Sequence, residues 1–259
     1  MKRADGFSLV ELMVATAVMV SVCGALLSLM LAGQAIARAQ PEASDVQQRA
    51  RVALRTLGAA LEVAGAGVDR GPLAGALARF FPPVTLSADG GLTVWYVSSR
   101  EAQGALASPL PNVATDATLA NAGNCAPGSA TCAFSPGTTA IVFDARGCRD
   151  VLRIVDANAM SLQVAPARRS CDYAAGAAVA EGEVLTYRVD PATRQLLRRD
   201  EATGVTVPVL DNIASMTVEL LDSGRRARVT LRVTASTATR IVPDLVITQD
   251  VVPPNAQGL

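Results

Sequence analysis

A single glutamate stands at the head of a long apolar run. Glu11 is followed by Leu12 to Gly33, 22 residues without a charge, enough to cross a bilayer core as a helix at about 1.5 Å per residue. A carboxylate costs about 2.5 to 3.5 kcal/mol at the centre of a membrane helix and less near its end. Such a residue is kept for a partner. The rest of the chain offers little else that reacts. Lys2 is the only lysine and histidine is absent, which excludes Ser–His and Cys–His nucleophile pairs, Ser–Lys dyads, Schiff-base lysines and imidazole metal ligands. Carboxylate chemistry remains. Asp222-Ser223-Gly224 matches half of an aspartic-protease site, but two such carboxylates must share a proton and the triplet occurs once, between two strand patterns; it reads as a turn. Glu181 and Glu183 read as a solvated strand edge, because nearness in sequence does not supply the opposed geometry of a glycosidase pair. No catalytic residue, metal site or cofactor is expected.

Five cysteines divide into one and four. Cys23 lies in the apolar run, where a thiol behaves as a small hydrophobe. Cys125, Cys132, Cys148 and Cys171 form an even set that suggests disulfides in an exported domain. Three connectivities are open, and the local pairs Cys125 with Cys132 and Cys148 with Cys171 are the favoured ones. Chain-entropy arithmetic on those loops gives roughly 2.5 and 3.4 kcal/mol. An all-cysteine zinc site is the rival, weakened by the lack of C-x-x-C spacing.

These residues need elements to place them. The apolar run reads as a membrane-spanning helix. Beyond it Val46, Ala50, Ala53, Leu54, Leu57, Leu61 and Ala64 recur at helical spacing, so the helix continues in amphipathic form. Pro41 is expected to kink or interrupt it, and Gly65, Gly67 and Gly71 to end it. The same glycines resemble a nucleotide loop only superficially, since they follow a helix instead of joining a strand to one. From Leu92 the pattern changes to short strands: Leu92 to Ser98, Thr139 to Phe143, Val151 to Val155, Met160 to Ala165, Glu183 to Asp190 and Gln195 to Arg199. Asp190-Pro191-Ala192-Thr193 is a hairpin turn. Met216, Val218 and Leu220, then Val229, Leu231 and Val233, alternate with polar residues, the mark of antiparallel strands with one wet face. Residues 99 to 138, rich in Ala, Pro, Asn, Gly and Ser, read as a long surface loop.

The start of the chain, with Gly6-Phe7 followed by Glu11, resembles the prepilin motif. In that motif a prepilin peptidase cuts after the glycine and methylates the new N-terminal phenylalanine. The resemblance implies that Phe7 becomes residue one of the mature chain and Glu11 its fifth, free to pair with the N-terminal ammonium of a neighbouring subunit and so set axial register. Asp45-Val46-Gln47-Gln48-Arg49-Ala50-Arg51-Val52-Ala53-Leu54, leading to Ala64-Gly65-Ala66-Gly67, is similar to PilW-like minor pilins and GspJ-like pseudopilins. Gly182 to Val189, Leu196 to Arg199 and Leu210 to Ile213 are a looser match to the same group. The implied fold is α+β and pilin-like, a long N-terminal helix packed on an antiparallel β-sheet domain. The implied divisions are a leader over 1–6, a membrane and filament-core helix over 7–37, an amphipathic helix over 38–70 and a periplasmic sheet domain over 71–259. The implied role is a minor type IV pilin; a type II secretion minor pseudopilin is the alternative. The partners would be the prepilin peptidase, other pilins or pseudopilins and an inner-membrane assembly platform. Glu11 argues against the tip pseudopilin, which typically lacks this glutamate.

Three other readings compete. In an ordinary signal peptide, Lys2 and Arg3 form the basic region and Ala35-Ile36-Ala37 or Ala37-Arg38-Ala39 the cleavage site, but an apolar region of about 7 to 15 residues is usual there and Glu11 is unexplained. A plain membrane anchor leaves Glu11 accidental. An anchored exported binding protein or carboxylate hydrolase is the rival of another class. Lys+Arg and Asp+Glu are both 23, so no net field points to nucleic acid; loss of Lys2, Arg3 and Asp5 with residues 1–6 would leave 21 basic against 22 acidic residues. The arginines at 168–169, 198–199 and 225–228 could touch phosphates, yet aromatics are 3% of the chain and stacking platforms are scarce. Surface solubility is the expected use of these arginines.

Overall fold

One helix, α1, runs from Leu9 to Val63, 55 residues, and passes through Pro41 without interruption. This corrects the interruption expected at the proline: the missing N–H costs one rung of the ladder, and the helix continues on both sides. The computed structural model describes residues 8–69, 72–97, 102–120, 134–235 and 242–256. The chain divides into two units, Met1–Gln48 with Ala235–Pro243, and Arg49–Thr234 with Asp244–Leu259.

In the second unit α1 buries Ala50, Ala53, Leu57 and Leu61, and Ala64 just after it is buried too, each 1% exposed or less, at the spacing the sequence shows. Gly65 ends it with φ +81°, a conformation that costs glycine little. The Gly65 N–H donates to Trp95 O at 2.8 Å and the Val97 N–H to Ala66 O at 2.8 Å, so the outgoing chain is stitched to a strand. Gly67 is required for space: a Cβ there would lie 1.8 Å from Gly75 O. Gly71 falls outside the described residues.

Thirteen strands follow, paired antiparallel throughout the described residues: β1 Val84–Leu86, β2 Leu92–Val97, β3 Gln103–Leu106, β4 Asp116–Ala120, β5 Thr139–Phe143, β6 Arg149–Ala157, β7 Ser161–Val164, β8 Ala178–Asp190, β9 Gln195–Asp200, β10 Thr206–Leu210, β11 Ile213–Leu221, β12 Arg226–Val233 and β13 Leu245–Val251. The fold is α+β. Strand β8 organises it. Its first half pairs with β3 on one edge and β5 on the other, and β3, β4, β7, β6 and β5 pair in that order, so six strands close into a ring. Inside lie Leu106, Leu119, Val142, Ile154, Leu162 and Val179, all 2% exposed or less. Its second half pairs with β2 and β9, with β1 and β10 beyond them. Strands β11, β12 and β13 form a separate sheet.

The region 99–138 is therefore not one surface loop. It contains β3 and β4, two staves of the ring. Their residues, Gln-Gly-Ala-Leu and Asp-Ala-Thr-Leu-Ala, are small and weakly β-forming, and pairing holds them where propensity does not. Strand β8 also begins five residues before the expected Glu183, because Ala178, Val179, Ala180 and Gly182 are buried, Glu181 is half-buried, and the stretch shows no alternation.

The hairpin turn after β8 forms as expected. The Thr193 hydroxyl donates to Asp190 Oδ2 at 2.8 Å and the Ala192 N–H to Oδ1 at 3.0 Å; these bonds, the hydroxyl first, hold the Asp190 carboxyl below its ordinary value. A lowered carboxylate stabilises above the unfolded value, about 3.9, and that stabilisation fades as pH falls through the folded value. Amide protection in the turn at 190–194 is expected to drop below about pH 4 in exchange measurements, and Asp190→Asn should remove this pH dependence.

Candidate functional site

The helix start is built by Ser8, whose carbonyl accepts from the N–H of Glu11 at 3.0 Å and of Leu12 at 3.2 Å. Glu11 thus stands in the first turn, where unpaired amide groups and the helix dipole favour negative charge. From Leu9 to Gln34 the helix has mean hydropathy 2.3 and no buried share. Leu9, Met13, Val20 and Leu29 are 74%, 64%, 72% and 69% exposed, so the surface is apolar on every side. Twenty-six residues rise about 39 Å, more than the roughly 30 Å of a hydrocarbon core.

The hydroxyls within this stretch are satisfied by the helix itself. Thr16 donates to Met13 O at 2.9 Å, Ser21 to Ala17 O at 2.9 Å and Ser28 to Ala25 O at 2.8 Å, which removes the cost of carrying them into lipid. Glu11 is the exception. It is the one charged residue between Leu9 and Gln34, and no ion pair to it exists among the described residues. The arrangement is an apolar rod with one carboxylate in its first turn, able to pair with a cation. Gly6 and Phe7 lie outside the described residues. Cys23 is a free, exposed thiol on the rod.

Of the other four cysteines, Cys148 and Cys171 are joined, with Cα atoms 6.1 Å apart; Cys125 and Cys132 fall outside the described residues. The bond lies within a polar clasp that sequence reasoning missed. Asp150 accepts from the Ser170 N–H and hydroxyl, both 2.9 Å, and from the Tyr173 hydroxyl at 2.7 Å. Burial, then Asp150, pushes the Tyr173 hydroxyl well above its ordinary range. Asp144 accepts from Arg146 Nε at 2.7 Å, and Arg146 Nη2 donates to Asp172 O at 2.8 Å. Arg169, expected at the surface with Arg168, is 4% exposed: its Nη2 donates to the carbonyls of Pro111, at 2.7 Å, and Ala114, fastening the β3–β4 connection. Paired arginines in sequence signal charge and not burial, so nothing there marked Arg169 as internal. Arg169→Ala would leave those carbonyls unpaired, and a loss of about 1 to 3 kcal/mol is expected, read as a lower urea midpoint of the detergent-solubilised chain.

The remaining candidates sort by their partners. Glu183 accepts from the Tyr96 hydroxyl at 2.6 Å, a cross-strand contact on adjacent β2 and β8. Asp222–Gly224 is a one-turn 3-10 segment between β11 and β12. The arginines near it face carboxylates: Arg226 meets Asp222 at 3.0 Å, and Arg228 meets Asp250 at 2.8 Å and Glu219 at 3.9 Å. Arg199 lies 3.5 Å from Glu201. No group of three metal-ligating side chains occurs among the described residues. The chain matches no protein-family model, no curated protein and no solved structure.

Proposed function

We propose that this chain is a filament subunit of the type IV pilin class, a PilW-like minor pilin that is cut by prepilin peptidase between Gly6 and Phe7, methylated at Phe7 and used in pilus assembly or priming. The observation that carries this reading is Glu11: one carboxylate, without an ion pair among the described residues, in the first turn of a helix that is otherwise apolar and self-satisfied from Leu9 to Gln34. A plain anchor has no use for it. In a filament it pairs with the ammonium of Phe7 on the neighbouring subunit, which gives each charge a counter-ion and fixes the axial step.

Two further observations support the placement. Lys2 and Arg3 precede the span, which favours a cytoplasmic N-terminus, and the Cys148–Cys171 bond suits an oxidising compartment such as the periplasm. The chain is then a single-pass protein of the inner membrane before assembly. The alternative cleavage sites around Ala37 fall inside the uninterrupted helix, which weighs against a signal peptide. The role is structural, without catalysis or nucleic-acid binding. Deleting the protein and scoring surface motility against enzyme secretion tests the choice of filament: loss of motility with secretion intact supports the pilin, and the reverse supports the GspJ-like pseudopilin.

A further inference from the structure

The three-stranded sheet ends on an open edge. Strand β13 pairs with β12 over seven residues in unbroken register, Leu245 to Val251, and among the described residues its other edge makes no backbone hydrogen bond. Exposed edges are normally blunted by proline, a bulge, an inward charge or short length. Strand β10 carries Pro208 and a register shift beside it, β1 has three residues, and β11 is shifted between Ile213 and Ser215. Strand β13 has none of these devices. Its one charge, Asp250, is turned back to Arg228 at 2.8 Å, and Val246 is 62% exposed.

Beside this edge runs a groove. One wall is Gln249 of β13; the other is the second half of α1, with Arg51, Arg55, Gly58, Ala59 and Glu62. Gly58 and Ala59 leave room for side chains from an added strand, and a Cβ at Gly58 would meet nothing within 4 Å. Arg51 and Arg55 are exposed and, unlike the arginines of β12, have no carboxylate partner among the described residues. They stand one turn apart, about 6 Å along the helix axis, close to the roughly 6.8 Å between residues i and i+2 of a strand.

We propose that β13 is a docking edge that takes a fourth strand from another protein of the assembly, an extended segment whose two acidic side chains, spaced acid-x-acid, meet Arg51 and Arg55. Backbone pairing to β13 supplies affinity, and the arginine pair selects the partner by charge. The edge acts independently of Glu11 and of N-terminal processing, so its failure and that of the pilin reading are separable.

The probe is a synthetic peptide, Glu-Val-Glu-Val-Thr-Val-Thr, with Lys-Val-Lys-Val-Thr-Val-Thr as its counterpart, added to the detergent-purified full chain with its disulfide intact. Hydrogen exchange is read across the β13 amides. The acidic peptide is expected to slow their exchange by at least about tenfold while the basic one does not, and the double variant Arg51→Glu with Arg55→Glu is expected to reverse the preference at unchanged thermal midpoint. Protection by neither peptide, equal protection by both, or an unreversed preference overturns the proposal. So does protection that rises with protein concentration alone, which would assign the edge to a second copy of this chain.

Discussion

Glu11→Ala is expected to keep the chain out of filaments while leaving its amount in the membrane unchanged. In the proposed filament, removing the carboxylate would strand the ammonium of Phe7 on the neighbouring subunit in apolar surroundings, and breaking one partner of a buried pair costs about 3 to 5 kcal/mol. At about 1.4 kcal/mol per tenfold, recovery in sheared filaments falls roughly 100-fold or more. The span itself is unharmed, because an alanine there is cheaper in lipid than a charge. Glu11→Gln separates shape from charge: it keeps the size of the side chain and loses the ion pair, and is expected to fail as Ala does. Normal recovery of either variant in sheared filaments removes Glu11 from the mechanism.

The second large effect concerns the clasp. Cys148→Ala with Cys171→Ala removes the crosslink between residues 23 apart in sequence and is expected to cost about 3.4 kcal/mol by loop entropy. The loss should be larger than that of Arg169→Ala, since the disulfide ties the β5–β6 turn to the segment carrying Arg169, Ser170 and Tyr173. Urea unfolding of the oxidised chain and of the double variant measures it. A midpoint that does not move would mean that the Asp150 and Asp144 hydrogen bonds hold the clasp unaided. Single variants are less informative, because the unpaired thiol left behind can exchange with another cysteine.

Much of this architecture was open to reading because the signals are local. The 22 uncharged residues after Glu11, the alanines and leucines at helical spacing and the glycines after Val63 specify α1 from end to end. Alternation in β11 and β12, and the Asp-Pro-Ala-Thr turn, specify hairpins within a few residues of their observed limits. Pro41 does not interrupt α1, because a proline weakens a helix locally while neighbouring turns still favour it. The six-strand ring escaped because it is made by long-range pairing: β8 meets β3 and β5 across some 75 and 40 residues of chain, and the Ala and Gly in β3 and β4 show no β pattern. Arg169 was misplaced for a related reason, since its burial depends on carbonyls at 111 and 114 that come near only once the ring closes.

The site divides along the same line. Glu11 stands out in the sequence because a charge in an apolar run is expensive wherever it occurs. The counter-ion proposed for it rests on the resemblance of Gly6-Phe7 to a cleavage motif, because a pair made between subunits would leave no trace within one chain.

N-terminal peptide and intact mass spectrometry of the protein from its native membrane tests the central claim most directly. The expected product is a chain that starts at Phe7 and carries one methyl group on its amine. A chain that retains Met1, or that starts after Ala37 or Ala39, would contradict it.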